Sequence, residues 1–352
     1  MLRVGVIGCG WITEKAHIPA IQGIDGASIE SVCDSDKERM EYISEKFGII
    51  HRFDEVNKFL ESDIDAVIIA SPNSTHSFYS DMALNANKHV LCEKPVALSA
   101  SQYKKTLGIA RKNNKIILPA LVNRFRPDIS KLNEIISSSN LGKLCKVEAA
   151  WVRKSGVPRP GTWITNKSLS GGGVLADLGS HIFDICLMNI ENKENPQITL
   201  RNVQRHTNST SAVWCEYNKK EAFQVDVESA VSGEIQFNNE VILDFDLSWD
   251  SDVKGDYTTF KFIYEKGSIS LHTLFGFSNN PLYDSIHICS DDREIIKMDI
   301  KSGYADIAFN RQAEYFVNSV STNKTDYLSP IDGYYTVDII ERIYSMIMED
   351  GC

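Results

Sequence analysis

The chain has 352 residues, which is enough for two domains of ordinary size. Its hydrophobic share of 43% and charged share of 24% are typical of globular proteins and exclude the disordered and fibrous classes. The formal net charge of −10 at pH 7, with no basic block, argues against nucleic acid and anionic membrane surfaces as partners.

Hydropathy and cysteine usage predict the compartment. No apolar run approaches the ~18 residues that a membrane-spanning helix needs. The first strand leads directly into a glycine turn and leaves no room for a secretory signal. The eight cysteines form no Cys-x-x-Cys pair and no spacing typical of a metal site. We therefore expect a protein of the reducing cytoplasm, and we predict no metal site.

Short apolar runs alternate with longer amphipathic stretches over residues 1–122. The runs are apolar on both faces, which is typical of strands in a sheet covered on both sides: Leu2–Ile7, Ile29–Cys33, Ala66–Ala70, His89–Cys92 and Ile116–Ala120. Helices are predicted between them: Glu14–Gly23, Ser35–Phe47, Asp54–Ser62, Thr75–Asn87 and Ser99–Asn113. This alternation predicts a doubly wound α/β domain with a parallel sheet.

Residues 123–352 have a different pattern and are predicted to form a second domain. Val241–Trp249 alternates apolar and polar side chains, which is typical of a strand with one solvent-exposed face. Further strands are predicted at Leu144–Arg153, Thr199–His206, Val225–Phe237, Thr259–Tyr264 and Ile286–Cys289, with Asn238-Asn239 as a hairpin turn. Helices are predicted at Asp128–Ser139, Ala305–Ser321 and Ile331–Glu349. The pattern indicates an α+β domain with an open, mostly antiparallel sheet, and leaves open whether the closing helices pack on the first domain.

A glycine turn follows the first strand. Gly8 and Gly10 occupy the first two positions of a G-x-G-x-x-G fingerprint, which lets a pyrophosphate approach the backbone at a helix N-terminus, whereas Thr13 replaces the third glycine. Asp34, 24 residues after Gly10, is placed to bind the adenosine ribose and to repel a 2′-phosphate. The pattern predicts a dinucleotide site that prefers NAD over NADP, although Arg39 could weaken that preference, as could Lys37. The alternative is an ordinary turn and a surface carboxylate.

Two further loops follow predicted strands at the same sheet edge, where open α/β sheets bind ligands. Ser71-Pro72-Asn73-Ser74-Thr75-His76 follows one strand and Glu93-Lys94-Pro95 the next. The first loop is equally consistent with a helix cap, and a lone lysine such as Lys94 is ordinarily a solvated surface charge.

A glycine-rich segment, residues 170–184, carries the remaining polar cluster. Its three consecutive glycines predict a loop or a tight start to a helix. Asp177 and His181 are four residues apart and Asp184 is three further, so a helix would place all three on one face. Apolar neighbours such as Leu178 and Ile182 favour a cleft over a solvated helix face.

These motifs, taken in order with Asn123-Arg124-Phe125-Arg126-Pro127, resemble the Gfo/Idh/MocA oxidoreductases over most of the chain. The resemblance implies a Rossmann domain, a second domain with an open-faced sheet that commonly forms oligomers, a nicotinamide cofactor, and a sugar or cyclitol substrate. Carried over by motif, Lys94, Asp177 and His181 are the predicted catalytic residues. Thr13 departs from the pattern, and no motif names the substrate.

The predicted site residues have catalytic, cofactor-binding or substrate-binding roles. Histidine exchanges protons near neutral pH, so His181 is the expected base, with Lys94 as the rival and Asp177 as the orienting group. The predicted cofactor-binding residues are Gly8, Gly10, Trp11, Ile12, Asp34, Ser71, Asn73, His76, Glu93, Lys94 and Asn123. The predicted substrate-binding residues are Arg124, Arg153, Arg159, Trp163 and Asp184.

The sequence thus predicts an NAD(P)-dependent dehydrogenase that oxidises a secondary hydroxyl of a sugar, aminosugar or cyclitol, or reduces the matching ketone. Two alternatives remain: a sugar- or dinucleotide-sensing regulator on the same fold, and a glycosidase that uses bound NAD for transient oxidation. The half-polar face of Val241–Trp249, together with the resemblance, predicts a homodimer or homotetramer.

Overall fold

The chain divides into two compact units. A computed structural model describes residues 1–205, 225–238, 240–278, 280–299 and 304–349. The first unit combines Met1–Val122 with Asp306–Asp338, and the second combines Asn123–Ala305 with Ile339–Cys352.

The first unit contains a six-stranded sheet in the order β3-β2-β1-β4-β5-β6. All neighbouring strands are parallel: β1 (Leu2–Ile7), β2 (Ala27–Cys33), β3 (His51–Phe53), β4 (Ala66–Ile69), β5 (His89–Cys92) and β6 (Ile117–Pro119). This is the order of the dinucleotide-binding Rossmann fold, and its reversal point lies between β1 and β4, where such sheets bind ligands. The prediction of a doubly wound parallel sheet is confirmed.

Helices connect these strands: α1 (Ile18–Gln22, continuing a π-helical turn at Thr13–His17), α2 (Lys37–Phe47), α3 (Val56–Leu60), α4 (His76–Asn85) and α5 (Ala100–Lys112). Local sequence fixes two starts, because the Asp36 side chain accepts a hydrogen bond from the Arg39 amide and the Ser99 side chain accepts one from the Gln102 amide. Most of α9 (Tyr304–Thr322) and the first residues of α10 (Asp332–Glu349) also belong to this unit.

The sequence prediction missed β3. This strand has three residues, two of them exposed, so it shows neither an apolar run nor a period of two. The other predicted elements of the first 120 residues are present, with ends that differ by one or two residues in most cases.

The second unit contains an eight-stranded sheet in the order β14-β13-β12-β11-β7-β10-β9-β8. Its strands are β7 (Leu144–Val152), β8 (Gln197–Gln204), β9 (Ala230–Phe237), β10 (Val241–Ser248), β11 (Tyr257–Tyr264), β12 (Gly267–Thr273), β13 (Ser285–Ser290) and β14 (Arg293–Asp299). Every pair is antiparallel except β7 with β10, which is parallel. The prediction of a mostly antiparallel sheet is confirmed.

The two faces of this sheet differ in polarity. Helix α8 (Ser180–Leu187) packs on the apolar face, where the rings of Phe183 and Phe245 meet edge to face at 5.2 Å. Helix α6 (Pro127–Ser138) hydrogen-bonds to β12 through Asp128 and Thr273. The opposite face carries ion pairs around Asp244, so it is polar along β10, as predicted.

Several predicted boundaries were wrong. The strand predicted at Val225–Phe237 begins at Ala230, because the residues before it include Glu228, whose side chain binds a loop. Strands β12 and β14 were not predicted. His206 and Asn239 of the predicted strand and turn lie outside the described residues. In the described part of the chain, no helix has the length and apolar character needed to cross a membrane.

Candidate active site

The glycine turn after β1 has the shape that a pyrophosphate requires. Gly8 has a φ of 97°, and a Cβ there would lie 2.5 Å from the carbonyl oxygen of Ala70, so only glycine fits. A Cβ on the exposed Gly10 would meet no atom within 4 Å, which leaves space for a ligand next to the backbone. The buried Thr13, at the third glycine position, donates a hydrogen bond from its hydroxyl to the Gly8 carbonyl at 2.6 Å and closes the turn.

Asp34 follows β2 and contacts the same turn. Its carboxylate accepts hydrogen bonds from the Cys9 amide at 2.6 Å and from the Asp36 amide at 2.8 Å, and the side chain is partly exposed. A partly exposed carboxylate fixed beside the glycine turn is the group expected to receive the ribose hydroxyls of NAD. Trp11 and Ile12, which are half-buried, begin the helical segment directly after Gly10. These residues fit a dinucleotide.

His76 connects the loops that follow β4 and β5. Its ring is buried and lies 2.7 Å from the Pro95 carbonyl oxygen and 2.8 Å from that of Ser71. Burial lowers the pKa of His76, although both carbonyl contacts oppose this. His76 therefore links the two loops through its buried ring. Ser71 and Asn73 lie in the loop after β4 and are half-buried.

Glu93 and Lys94 follow β5 at the same edge. Glu93 pairs with the buried His17 at 2.8 Å and accepts a hydrogen bond from the Lys94 amide at 3.2 Å. Burial by itself would raise the pKa of Glu93, but the hydrogen bond with His17 and the charge of Lys94 keep it below its usual range. The Lys94 side chain is half-buried, and the Lys94-Pro95 peptide is cis.

In the second unit, a buried carboxylate anchors the glycine-rich loop. Glu228 accepts hydrogen bonds from the amides of Gly173 and Leu175 at 3.0 Å and from the Tyr344 hydroxyl at 2.8 Å. A Cβ on Gly172 would overlap the Tyr344 hydroxyl, and one on Gly173 would lie 2.0 Å from the Glu228 carbonyl oxygen. Burial raises the pKa of Glu228, and the backbone donors oppose this. The glycines allow the loop to pack on these groups before the next helix begins.

Asp177 lies in the π-helical turn Leu175–Gly179 that follows the loop and leads into α8. Its carboxylate accepts a hydrogen bond at 3.1 Å from the indole N–H of Trp249, a fully buried residue directly after β10. Asp177 itself is partly exposed. Trp249 therefore orients the carboxylate while leaving part of it open to a ligand.

His181, in the first turn of α8, is also only partly buried. Its ring centroid lies 5.9 Å from that of Trp151 on β7, and the Arg153 guanidinium stacks on the same indole at 4.9 Å. Arg153 is buried and donates to the Gly156 carbonyl at 3.2 Å. An acid, a histidine and a buried arginine thus lie near the ends of the parallel strands β7 and β10.

Two predicted substrate-binding residues pair with each other. The Arg124 guanidinium contacts the Asp184 carboxylate at 2.6–3.0 Å, and both side chains are buried. Asn123, next to Arg124 in sequence, is also buried, whereas Arg159 and Trp163 are half-exposed in the segment after β7. Lys94 belongs to the first unit and the Asp177–His181 pair to the second, so the joint action of the three stays a prediction.

Comparison with known families decides the relationship. Residues 2–121 match the model of the Gfo/Idh/MocA oxidoreductase family, NAD-binding Rossmann fold, and residues 129–270 match that of the GFO/IDH/MocA C-terminal domain. The chain belongs to the Gfo/Idh/MocA family. The family, the fold class and the NAD(P) cofactor predicted from the sequence are confirmed, and this Gfo/Idh/MocA protein is an NAD(P)-dependent oxidoreductase of a family of sugar and cyclitol enzymes.

Two of the relatives of this family member are sugar or cyclitol dehydrogenases. D-glucoside 3-dehydrogenase of Escherichia coli (strain K12) is 27% identical over 345 residues, 97% of this chain and 94% of the relative. Myo-inositol 2-dehydrogenase of Thermotoga maritima is 28% identical over 185 residues, 52% of this chain and 53% of the relative.

Solved structures share the fold. GenD2 from gentamicin A biosynthesis, in complex with NAD, has a TM-score of 0.77 at 21% identity, covering 98% of this chain and 93% of that one. The 3-ketoreductase KijD10 of Actinomadura kijaniata, in complex with NADP and TDP-benzene, has a TM-score of 0.77 at 18% identity, covering 98% and 97%.

The sequence reasoning missed three residues that support the second unit's part of the site: Glu228, Trp249 and Tyr344. Trp249 follows a recognisable strand, and that position alone could have drawn attention to it. Glu228 lies between Val227 and Ser229, two residues after Asp226, and this mixed segment gives no sign of a buried carboxylate. Tyr344 looks like any other apolar-face residue of the last helix.

Proposed function

We propose that this enzyme transfers hydride between NAD and a secondary hydroxyl of a sugar, aminosugar or cyclitol, with Lys94, Asp177 and His181 acting on the same substrate. The observation that carries the proposal is the Asp177–His181 pair. Both polar groups are partly exposed on an otherwise buried helical segment, one fixed by Trp249 and the other beside Trp151.

The chemistry divides between cofactor and protein. Bound nicotinamide accepts or donates the hydride, so the chain has to orient the substrate and move one hydroxyl proton. In this proposal, His181 takes that proton, the Lys94 ammonium stabilises the developing alkoxide, and Asp177 accepts a hydrogen bond from a neighbouring substrate hydroxyl. The ribose-facing Asp34 favours NAD over NADP.

Glucosides are the first substrates to test. The relative that matches nearly the whole chain is named a D-glucoside 3-dehydrogenase, which supports a pyranoside with a free 3-hydroxyl. A panel of glucosides, free sugars, sugar phosphates, nucleotide sugars, aminosugars and inositols, each with NAD and with NADP, would be followed by absorbance of the reduced cofactor. A glycoside that is cleaved without net NADH release would indicate the NAD-dependent glycosidase instead.

Single replacements then test the catalytic residues on the best substrate. Lys94→Ala and His181→Ala should lower kcat by about 10²–10⁴, the usual contribution of a positioned proton-transfer group, while NADH affinity stays within a few-fold. Exposed residues give matched controls, and Lys112→Ala and His51→Ala should leave kcat unchanged. Near-wild-type turnover in both test variants would show that the catalytic groups lie elsewhere.

We also propose that the protein is located in the cytoplasm. The described cysteines are free, and four of them are buried: Cys9, Cys33, Cys92 and Cys186. Buried free thiols are typical of proteins that fold in a reducing environment. Fractionation of the cells that produce the protein tests this assignment.

A further inference from the structure

An ion-pair cluster around one buried carboxylate lies beside the glycine turn. Glu14 lies in the π-helical segment that follows the glycine turn and is 8% exposed. Lys46 contacts one of its carboxylate oxygens at 2.6 Å. Arg39 contacts the other oxygen. Burial by itself would raise the pKa of Glu14, but the hydrogen bonds from Lys46 and Arg39 lower it to about 2, so the carboxylate is charged at every physiological pH.

Arg39 is held in one place by several groups. Its Nε donates to the Cys9 carbonyl at 2.7 Å, and its terminal nitrogen reaches the Gly10 carbonyl at 3.4 Å as well as Glu14. The guanidinium also lies 4.9 Å from the ring centroid of Tyr42. The side chain is 10% exposed, so the guanidinium faces the turn and little of it faces solvent.

The same turn residue connects Arg39 to the ribose site. The Cys9 amide donates a hydrogen bond to Asp34 and the Cys9 carbonyl accepts one from Arg39, so the carboxylate and the guanidinium bind the two backbone polar groups of one residue. In NADP-binding Rossmann domains, an arginine near the acid position receives the 2′-phosphate. This chain therefore has an arginine beside that position, directed onto the backbone.

We infer that Glu14 is a cofactor-specificity residue that holds Arg39 on the glycine turn and keeps it from receiving a 2′-phosphate. Selection against NADP then has two parts: Asp34 repels the phosphate, and Glu14 retains the cation that would bind it. The inference rests on the proposed NAD preference and adds a second residue to it.

Titration with NADH and NADPH, followed by cofactor fluorescence without any substrate, tests this inference. The quantity compared is the ratio of the two Kd values. Asp34→Ser should shift this ratio toward NADPH by about tenfold, and adding Glu14→Gln should shift it by about another tenfold. Adding Arg39→Met to the double variant should remove the second shift. Thermal unfolding checks that each variant is folded.

Glu38→Gln in the Asp34→Ser background is the matched control. It removes one exposed carboxylate next to Arg39 in sequence, so it measures the effect of net charge alone. The inference is overturned if Glu14→Gln shifts the ratio no more than Glu38→Gln, or if the shift survives Arg39→Met. The proposed NAD preference is tested separately by the wild-type enzyme, and it is overturned if the wild type binds NADPH more tightly than NADH. The two failures are distinguishable because one is read from the wild type and the other from the variants.

Discussion

The Asp184→Asn replacement should strongly lower the free energy of unfolding of the second unit. The Arg124 guanidinium contacts both carboxylate oxygens of Asp184, and the two side chains are 5% and 2% exposed, so Asp184→Asn leaves a buried guanidinium without its counter-charge. Breaking one partner of a buried ion pair costs about 3–5 kcal/mol. For a unit of this size, such a loss corresponds to a fall in Tm of about 10 °C.

Tryptophan fluorescence can follow the second unit selectively. Trp11 is the one tryptophan in the segments that form the first unit, so a Trp11→Phe background leaves emission from the second unit, including Trp151 and Trp249. Urea unfolding in this background should show the loss with Asp184→Asn. The paired replacement Arg124→Met with Asp184→Leu should restore most of the stability, because two apolar side chains carry no uncompensated charge.

The opposite result would assign the pair to substrate binding. If Asp184→Asn keeps the wild-type unfolding midpoint and raises KM for the sugar, then Asp184 binds substrate, as the sequence suggested, and the structural reasoning is refuted. Asp250→Asn, a change of the same charge at a less buried position, serves as the control and should leave the midpoint nearly unchanged.

Three further outcomes are expected. Gly10→Ala should weaken NADH binding by at least tenfold without lowering Tm, because the new Cβ enters the open side of the turn, and calorimetry with Gly108→Ala as the control checks this. His89 accepts a hydrogen bond from the Ile116 amide. Burial and the charge of Lys115 lower the pKa of His89 to about 4. Between pH 6.5 and pH 4, the unfolded chain therefore binds a proton at His89 that the folded chain does not. Unfolding free energy should therefore fall by about 2 kcal/mol over that range, and His89→Asn should lack this part of the slope in urea titrations. The polar face of the eight-stranded sheet should pair with a second copy, and light scattering that shows a monomer at micromolar concentration would contradict this.

The fold could be predicted because its signals are local. Strand β4 is apolar on both faces and β10 alternates, so each shows its environment within a few residues of sequence. The short edge strand β3 has no such signal, since two of its three residues are exposed. The loops at the sheet edge could be predicted for a similar reason, because each family motif is a contiguous stretch of sequence.

The supporting contacts of the site could not be predicted, because their partners are distant in sequence. Trp249 meets Asp177 from 72 residues away, and Arg124 meets Asp184 from 60. The sequence therefore cannot show that Asp184 has a buried partner, and its predicted contact with substrate stays a prediction. Arg39 was predicted only to weaken the preference for NAD, because its interaction with Glu14 spans 25 residues and has no sequence signal.

The parallel pairing of β7 with β10 has a consequence for how the chain folds during synthesis. Lys146 pairs with Ile242, 96 residues later, and on its other side β7 pairs with β11, where Leu144 meets Tyr264 after 120 residues. Strand β7, one of the two central strands of the sheet, thus has no neighbour until β10 has been made, and it gains its second neighbour only when β11 follows. Pairings of such long range form slowly and leave apolar strand faces uncovered in the meantime. We expect chaperone dependence during expression to arise from this segment, and refolding from urea to be limited by the closure of β7 between its two late partners.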